Sequence, residues 1–190
     1  VSTVVVAVKD GSVAIGADSL VTFGETRLPA GYEANEKMFR IGDSIVGAVG
    51  SVAHLAVLKA ALSALPADEL RLDSREGLFD TFTKLHPRLK ERFFLNTKEQ
   101  DSDPYESSQF SIVIASRHGI FGVESYREVF AFDRFWAIGS GRRFALGAMH
   151  AAYARAKNAR EVAEAGVAAG CEFDTSSAGP ARLHTFKLKN

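Results

Sequence analysis

Val1-Ser2-Thr3-Val4-Val5-Val6-Ala7-Val8-Lys9 opens the chain and runs straight into Asp10-Gly11. An apolar, β-branched run of this length that stops at an Asp-Gly pair predicts a strand covered on both faces, followed by a tight hairpin turn. The second apolar run, Ser12 to Asp18, supplies the partner strand. Such a hairpin buries the start of the chain, whereas most termini fray in solvent. Two explanations stay open from the strand alone. A first strand can simply sit in the middle of a sheet. Alternatively, Ser2 is a nucleophile whose base is its own terminal amine, a pairing that chemistry also permits for an N-terminal threonine.

The chain has 190 residues, of which 46% are apolar, enough for one sizeable core, and its length predicts one domain over 1–190. Acidic and basic residues balance at 23 each, so no net field recommends nucleic acid or an anionic membrane as a partner. No apolar run reaches the length of a membrane span and no secretory leader is evident, which predicts a cytoplasmic protein. The single cysteine, Cys171, excludes an internal disulfide and fits a reducing compartment. Its place on the apolar end of a helical pattern favours a core role over a catalytic one.

Beyond the first hairpin, Thr22 to Asn35 is polar and carries Pro29 and Gly31, so it predicts a long excursion between strands. Glu36 to Ile41 and Ser44 to Gly50 read as two strands around Gly42-Asp43. The period then becomes helical, with Leu55, Leu58, Leu62 and Leu65 in phase and Pro66 as the stop. A second helix spans Asp73 to about Leu95, and Pro87 inside it predicts a kink or break. Asn96 to Ser107 reads as a surface loop. Strands follow around Phe110 to Ile114, from Ile120, at Val129 to Phe132 and at Trp136 to Ile138. Helices from about Arg142 to Ala156 and from Asn158 come next, the latter opening on a capping box, Asn-Ala-Arg-Glu. Arg182 to Leu188 closes the chain as a strand. Runs of strands alternating with pairs of helices predict an α+β sandwich of antiparallel sheets with helices on their outer faces.

Lys37 is the most informative charge. In an extended segment it shares a face with Phe39 and Ile41, which places an ammonium on an apolar face. A buried lysine needs a partner or a depressed pKa, and Asp18 at the end of the second strand is the natural one. The pair is either structural or functional. The five histidines show no metal-ligand spacing, so no metal and no cofactor are expected. Gly139-Ser140-Gly141 fits neither the nucleophile elbow nor the dinucleotide fingerprint, and a serine at a strand-to-helix junction is commonly an N-cap.

Taken together, Ser2-Thr3-Val4-Val5-Val6, Gly11, Ala17-Asp18, Lys37, Ile45 to Gly50 and Ala137-Ile138-Gly139-Ser140-Gly141 resemble the proteasome β-subunit family, in particular its bacterial branch of HslV-type peptidases and bacterial proteasome homologues. The resemblance spans nearly the whole chain in order. It implies the N-terminal nucleophile hydrolase fold, a four-layer αββα sandwich. It also implies a threonine-type endopeptidase, here with serine, acting on peptides or unfolded proteins inside a stacked ring of identical subunits; an unfoldase partner stays unspecified. Carried over by position, Ser2 is the nucleophile, Lys37 the cation beside it and Asp18 that cation's partner. Gly47 is the oxyanion donor, and Ser140, Asp174 and Ser177 complete the network. Ile45 and Val49 flank Gly47 on the family's pocket-lining segment and imply an apolar preference.

Two departures from the family pattern matter. Serine keeps the hydroxyl of the usual threonine and loses its methyl. While Val1 is attached, the Ser2 nitrogen is an amide and not a base, and a one-residue shift in register would put Val1 or Thr3 in the nucleophile position. A non-catalytic or blocked ring subunit, and a small-molecule amidase on the same fold, are therefore the alternatives.

Overall fold

A computed structural model describes residues 2–29, 31–32 and 36–189. The opening run forms β1 (Val4–Lys9) and pairs antiparallel with β2 (Ser12–Ala17), with Val4 opposite Ala17 and Lys9 opposite Ser12. Asp10 and Gly11 both take positive φ, 47° and 71°, as a two-residue turn matched to strand twist requires. β1 gains a second neighbour in β10 (Phe135–Ile138), and β2 gains one in β11 (Arg182–Lys187), giving the order β10-β1-β2-β11. The first strand is thus central.

The second sheet runs β5 (Met38–Ile41), β6 (Ser44–Val49), β7 (Ser111–Ser116), β8 (Gly119–Val123) and β9 (Val129–Phe132), each antiparallel to the next. Side-chain alternation along β1 explains why its sequence is apolar throughout. Val4 and Val6 point between the sheets, joining Val13, Ile15, Met38, Ile45, Val113 and Ala115. Val5 and Ala7 point outward, onto Met149, Val162 and Val167 of two helices. Both faces of the strand are core.

Those helices are α3 (Arg142–Tyr153) and α4 (Ala159–Phe173). Asn158 caps α4 by accepting from the Glu161 N–H at 3.1 Å, while the Glu161 carboxylate accepts from the Lys157 N–H at 2.8 Å, one residue outside the expected box. On the far side, α1 (Val52–Ser63) and α2 (Arg75–Phe93) cover the five-stranded sheet. Leu58, Leu62, Leu78, Phe82, Leu85 and Leu89 meet Val46, Ile112 and Ile114 there. Three apolar layers between four layers of elements make the αββα sandwich.

Two expectations change. Part of the predicted excursion forms a short hairpin, β3 (Val21–Phe23) with β4 (Thr26–Leu28), since strands of three residues are too short to show alternation. Its positions 30 and 33–35 lie outside the described residues. The break expected at Pro87 does not occur, and α2 continues through it. Pro87 and Thr83 are both exposed, so the carbonyl that the proline leaves without a donor faces water, while Phe82, Leu85 and Leu89 hold both halves in one core. No described helix is long and apolar enough to cross a membrane.

Candidate active site

The two sheets are joined at one end by Asp18 and Lys37. Asp18 follows β2 and Lys37 precedes β5, so each comes from a different sheet. The Lys37 ammonium donates to both carboxylate oxygens, at 2.7 and 2.8 Å. Three backbone N–H groups also donate to Asp18: Thr3 at 2.9 Å, Leu20 at 3.0 Å and Ala178 at 3.1 Å. The Asp18 side chain is fully enclosed and that of Lys37 is 7% exposed, so this carboxylate is satisfied by hydrogen bonds from all sides. Burial lowers the Lys37 pKa, and the charge and hydrogen bonds of Asp18 only partly offset it.

Strand alternation separates Ser2 from Thr3. Ser2 lines a cavity of about 360 Å³ together with Lys37, Val21, Phe23, Ala48, Gly50 and Leu55. Its carbonyl accepts from the Gly141 N–H at 3.3 Å. A Cβ on Gly139 would lie 2.0 Å from that same carbonyl oxygen, and Gly139 has φ +96°, so only glycine lets β10 pass this close. Thr3 points the other way, into the α4 layer, where a Cβ on Gly141 or Gly170 would come within 1.9 or 2.3 Å of its hydroxyl oxygen. Thr3 is therefore walled off from the cavity. Val1, the other register alternative, lies outside the described residues.

Thr3 belongs to a second network. The Ser140 and Ser177 hydroxyls each donate to Asp174 Oδ2 at 2.6 Å, and Ser177 Oγ stands 2.8 Å from Thr3 Oγ1. A hydroxyl has one proton, and Ser177 gives its own to Asp174, so Thr3 donates to Ser177. Burial pushes the Asp174 carboxyl up, but hydrogen bonds from the Ser140 and Ser177 hydroxyls and the Ser176 backbone, with the charge of the chain terminus, together hold it below its ordinary value. The structure thus brings Ser140, Asp174 and Ser177 together and adds Thr3, which sequence reasoning missed. The N-cap reading of Ser140 does not hold, because Gly141 caps α3 without a side-chain bond. Ser177→Ala is expected to cost about 1–3 kcal/mol, measured by denaturant unfolding, by leaving the buried Thr3 hydroxyl without its acceptor.

The positions expected on β6 need correction. Gly47 sits mid-strand opposite Met38 and Val113, facing the inter-sheet core, where an added Cβ would lie 2.7 Å from Val4 Cγ1. Ile45 is buried in the same core and lines no part of the Ser2 cavity. Val49 is half-buried and lines a neighbouring cavity instead. The parity of the strand is the reason. Residues 45, 47 and 49 share one face, while Ala48 on the other face reaches the Ser2 cavity, and Gly50 enters it where the strand ends. Gly47→Ala is expected to destabilise by about 1–3 kcal/mol through overpacking against Val4, seen as a lower Tm.

Cys171 is partly buried among Val5, Met149 and Val167, and burial raises its pKa, which leaves it a thiol at neutral pH. Among the described residues, no group of three or more His, Cys, Asp or Glu side chains could hold a metal ion.

Comparison with known proteins places this geometry in context. The family model described as proteasome subunit matches residues 1–183. No curated protein matches the sequence. Among solved structures, BPH of Thiobacillus denitrificans in complex with epoxomicin is 39% identical, with 99% of this chain and 100% of that one covered and a TM-score of 0.89. A second structure of the same BPH is 40% identical, covers 98% of each chain and has a TM-score of 0.90. Eukaryotic HslV from Trypanosoma brucei shares the fold, with a TM-score of 0.72 at 19% identity over 97% of this chain and 99% of that one.

Proposed function

Because the chain belongs to the proteasome-subunit family, we propose that it hydrolyses peptide bonds with Ser2 as nucleophile and the Ser2 α-amine as base. The observation that carries this reading is the shared cavity of Ser2 and Lys37, with the lysine fixed from behind by Asp18. The free amine accepts the Ser2 hydroxyl proton, and Oγ attacks the substrate carbonyl carbon. The Lys37 cation stabilises the alkoxide as it forms. The backbone N–H of Gly50, which lines the cavity where β6 has ended, is the donor assigned to the tetrahedral oxyanion in place of Gly47. On collapse the ammonium returns its proton to the leaving nitrogen, and an ester remains on Ser2. Water, deprotonated by the same amine, then releases the acid.

Asp174, Ser140, Ser177 and Thr3 act at a distance from the reacting atoms. They pin the strand that ends in Ser2 to β10 and α4, which keeps the hydroxyl where the cation can serve it. The cavity wall of Val21, Phe23, Ala48 and Leu55 supports a preference for an apolar residue on the acyl side. The test is hydrolysis of an N-acyl-leucyl aminocoumarin amide by protein that begins at Ser2. Turnover that disappears in Ser2→Ala supports the reading, and full turnover in Ser2→Ala sinks it. Epoxomicin, which accompanies a relative of 39% identity, is expected to inhibit.

A ring of identical subunits is the assembly assigned here. Phe144 on α3 and Phe173 on α4 support it, lying 5.6 Å apart and 44% and 65% exposed, a pair that a lone subunit would leave in water. Sedimentation velocity is expected to give a particle many times the subunit mass, and a monomer at micromolar concentration would refute the ring. A second reading has one observation in its favour: Val1 precedes Ser2 in the sequence. A chain that keeps Val1 would be a non-catalytic member of the assembly.

A further inference from the structure

A cavity of about 590 Å³ lies next to the Ser2 cavity and shares Gly50 and Ser51 with it as a common wall. Gly139, which packs directly on the Ser2 carbonyl, lines this second cavity as well. The geometry points to a subsite for the leaving-group side of the substrate that takes a cationic side chain, lysine or arginine. This inference rests on the peptidase reading for its direction. With the acyl residue in the first cavity and the carbonyl oxygen at Gly50, the chain continues past Gly50 toward Gly139, which packs on the Ser2 carbonyl.

The charge follows from the residues on the wall. Glu99 is the one ionisable side chain among the described residues lining this cavity, and the rest of its polar lining is Gln109 and serines. Ser107, fully buried, donates to Glu99 Oε1 and so orients the carboxylate, while the Gln109 N–H donates to Ser107 at 2.9 Å. Ser111, also on the wall, donates to Glu124. The nearby cations are engaged elsewhere: Lys98 with Asp101 at 3.2 Å, and Arg127 with the Glu106 carbonyl at 2.7 Å. Tyr126 reports the same negative surroundings. Its hydrogen bond to Asp103, burial, and the charges of Asp103, Glu99 and Glu128 push its phenol up to about 12. The two cavities thus differ in character, the first lined by apolar side chains with the Lys37 cation and the second anionic, and a carboxylate placed in the second would meet like charge.

The test separates this subsite from catalysis by measuring binding. Two labelled acetyl hexapeptides, alike except for arginine or glutamate immediately after a central leucine, are titrated into Ser2→Ala protein and followed by fluorescence anisotropy. The arginine peptide is expected to bind about tenfold more tightly at low salt. That ratio should shrink as ionic strength rises and fall below about threefold in the Ser2→Ala, Glu99→Gln double variant. Thermal melting of the Glu99→Gln protein checks that its fold is kept. Equal affinity for the two peptides, binding of neither, or a preference that survives Glu99→Gln overturns the subsite. The aminocoumarin amide carries no residue into this cavity, so its hydrolysis tests the peptidase reading independently of this outcome.

Discussion

Lys37→Met is expected to lower kcat/KM for the aminocoumarin substrate by roughly 10²–10³-fold, the loss that follows removal of one preorganised electrostatic partner from a reacting oxyanion. The same change should also destabilise the protein, and the two effects need to be told apart. Lys37 is 7% exposed and its partner Asp18 is fully enclosed, so the substitution strands a carboxylate in the interior. Removing one member of a buried pair costs about 3–5 kcal/mol. The Thr3, Leu20 and Ala178 N–H groups still donate to Asp18, which favours the lower end of that range. For a chain of this size about 3 kcal/mol corresponds to a fall in Tm of roughly 6–12 °C. A loss of turnover at a temperature where melting shows the Lys37→Met protein still folded separates the catalytic effect from the destabilisation. A Lys37→Met protein that keeps its activity within a few-fold would show the pair to be structural only.

The pair was legible in the sequence because two simple patterns located it. Alternation put Lys37 on the face of Phe39 and Ile41, and the hairpin length put Asp18 at the end of the second strand. Ile45, Gly47 and Val49 were placed by resemblance alone, and alternation was not applied to them. Nothing in a uniformly apolar strand marks which parity faces a cavity and which the inter-sheet core. Gly47 and Gly50 look alike in the sequence, yet one is a mid-strand position pressed on Val4 and the other ends the strand at two cavities. Thr3 escaped notice for the opposite reason. It was weighed only as a rival to Ser2, although its position one residue along the strand turns its side chain toward α4 and Ser177. The layers themselves were readable, since β1 is apolar at both parities and so must be covered on both sides. The hairpin of β3 and β4, which supplies Val21 and Phe23 to the Ser2 cavity, has strands too short to carry a period.

The other large effect concerns a single peptide bond. Protein beginning at Ser2 is expected to hydrolyse the aminocoumarin substrate, and protein retaining Val1 is expected to be slower by at least the roughly 10²–10⁴-fold that a positioned base supplies. The nitrogen of Ser2 is an amine in the first and an amide in the second, and an amide accepts no proton at neutral pH. Intact mass identifies which form is present, and turnover measured on the same sample decides the matter. The pH profile provides a second, independent check. An unperturbed α-amine titrates near 7.7–8.0. Because the neutral amine and the Lys37 cation are the active forms, kcat/KM should rise with pH through that range and then fall where Lys37, held below the usual lysine range by burial, loses its proton. The Asp174 carboxyl is held below its ordinary value, so it stays ionised across the whole rise and contributes no limb of its own. Equal turnover with and without Val1 would exclude the amine as base and require another group to deprotonate Ser2. A profile that rises instead near the ordinary range of histidine would point to the same conclusion.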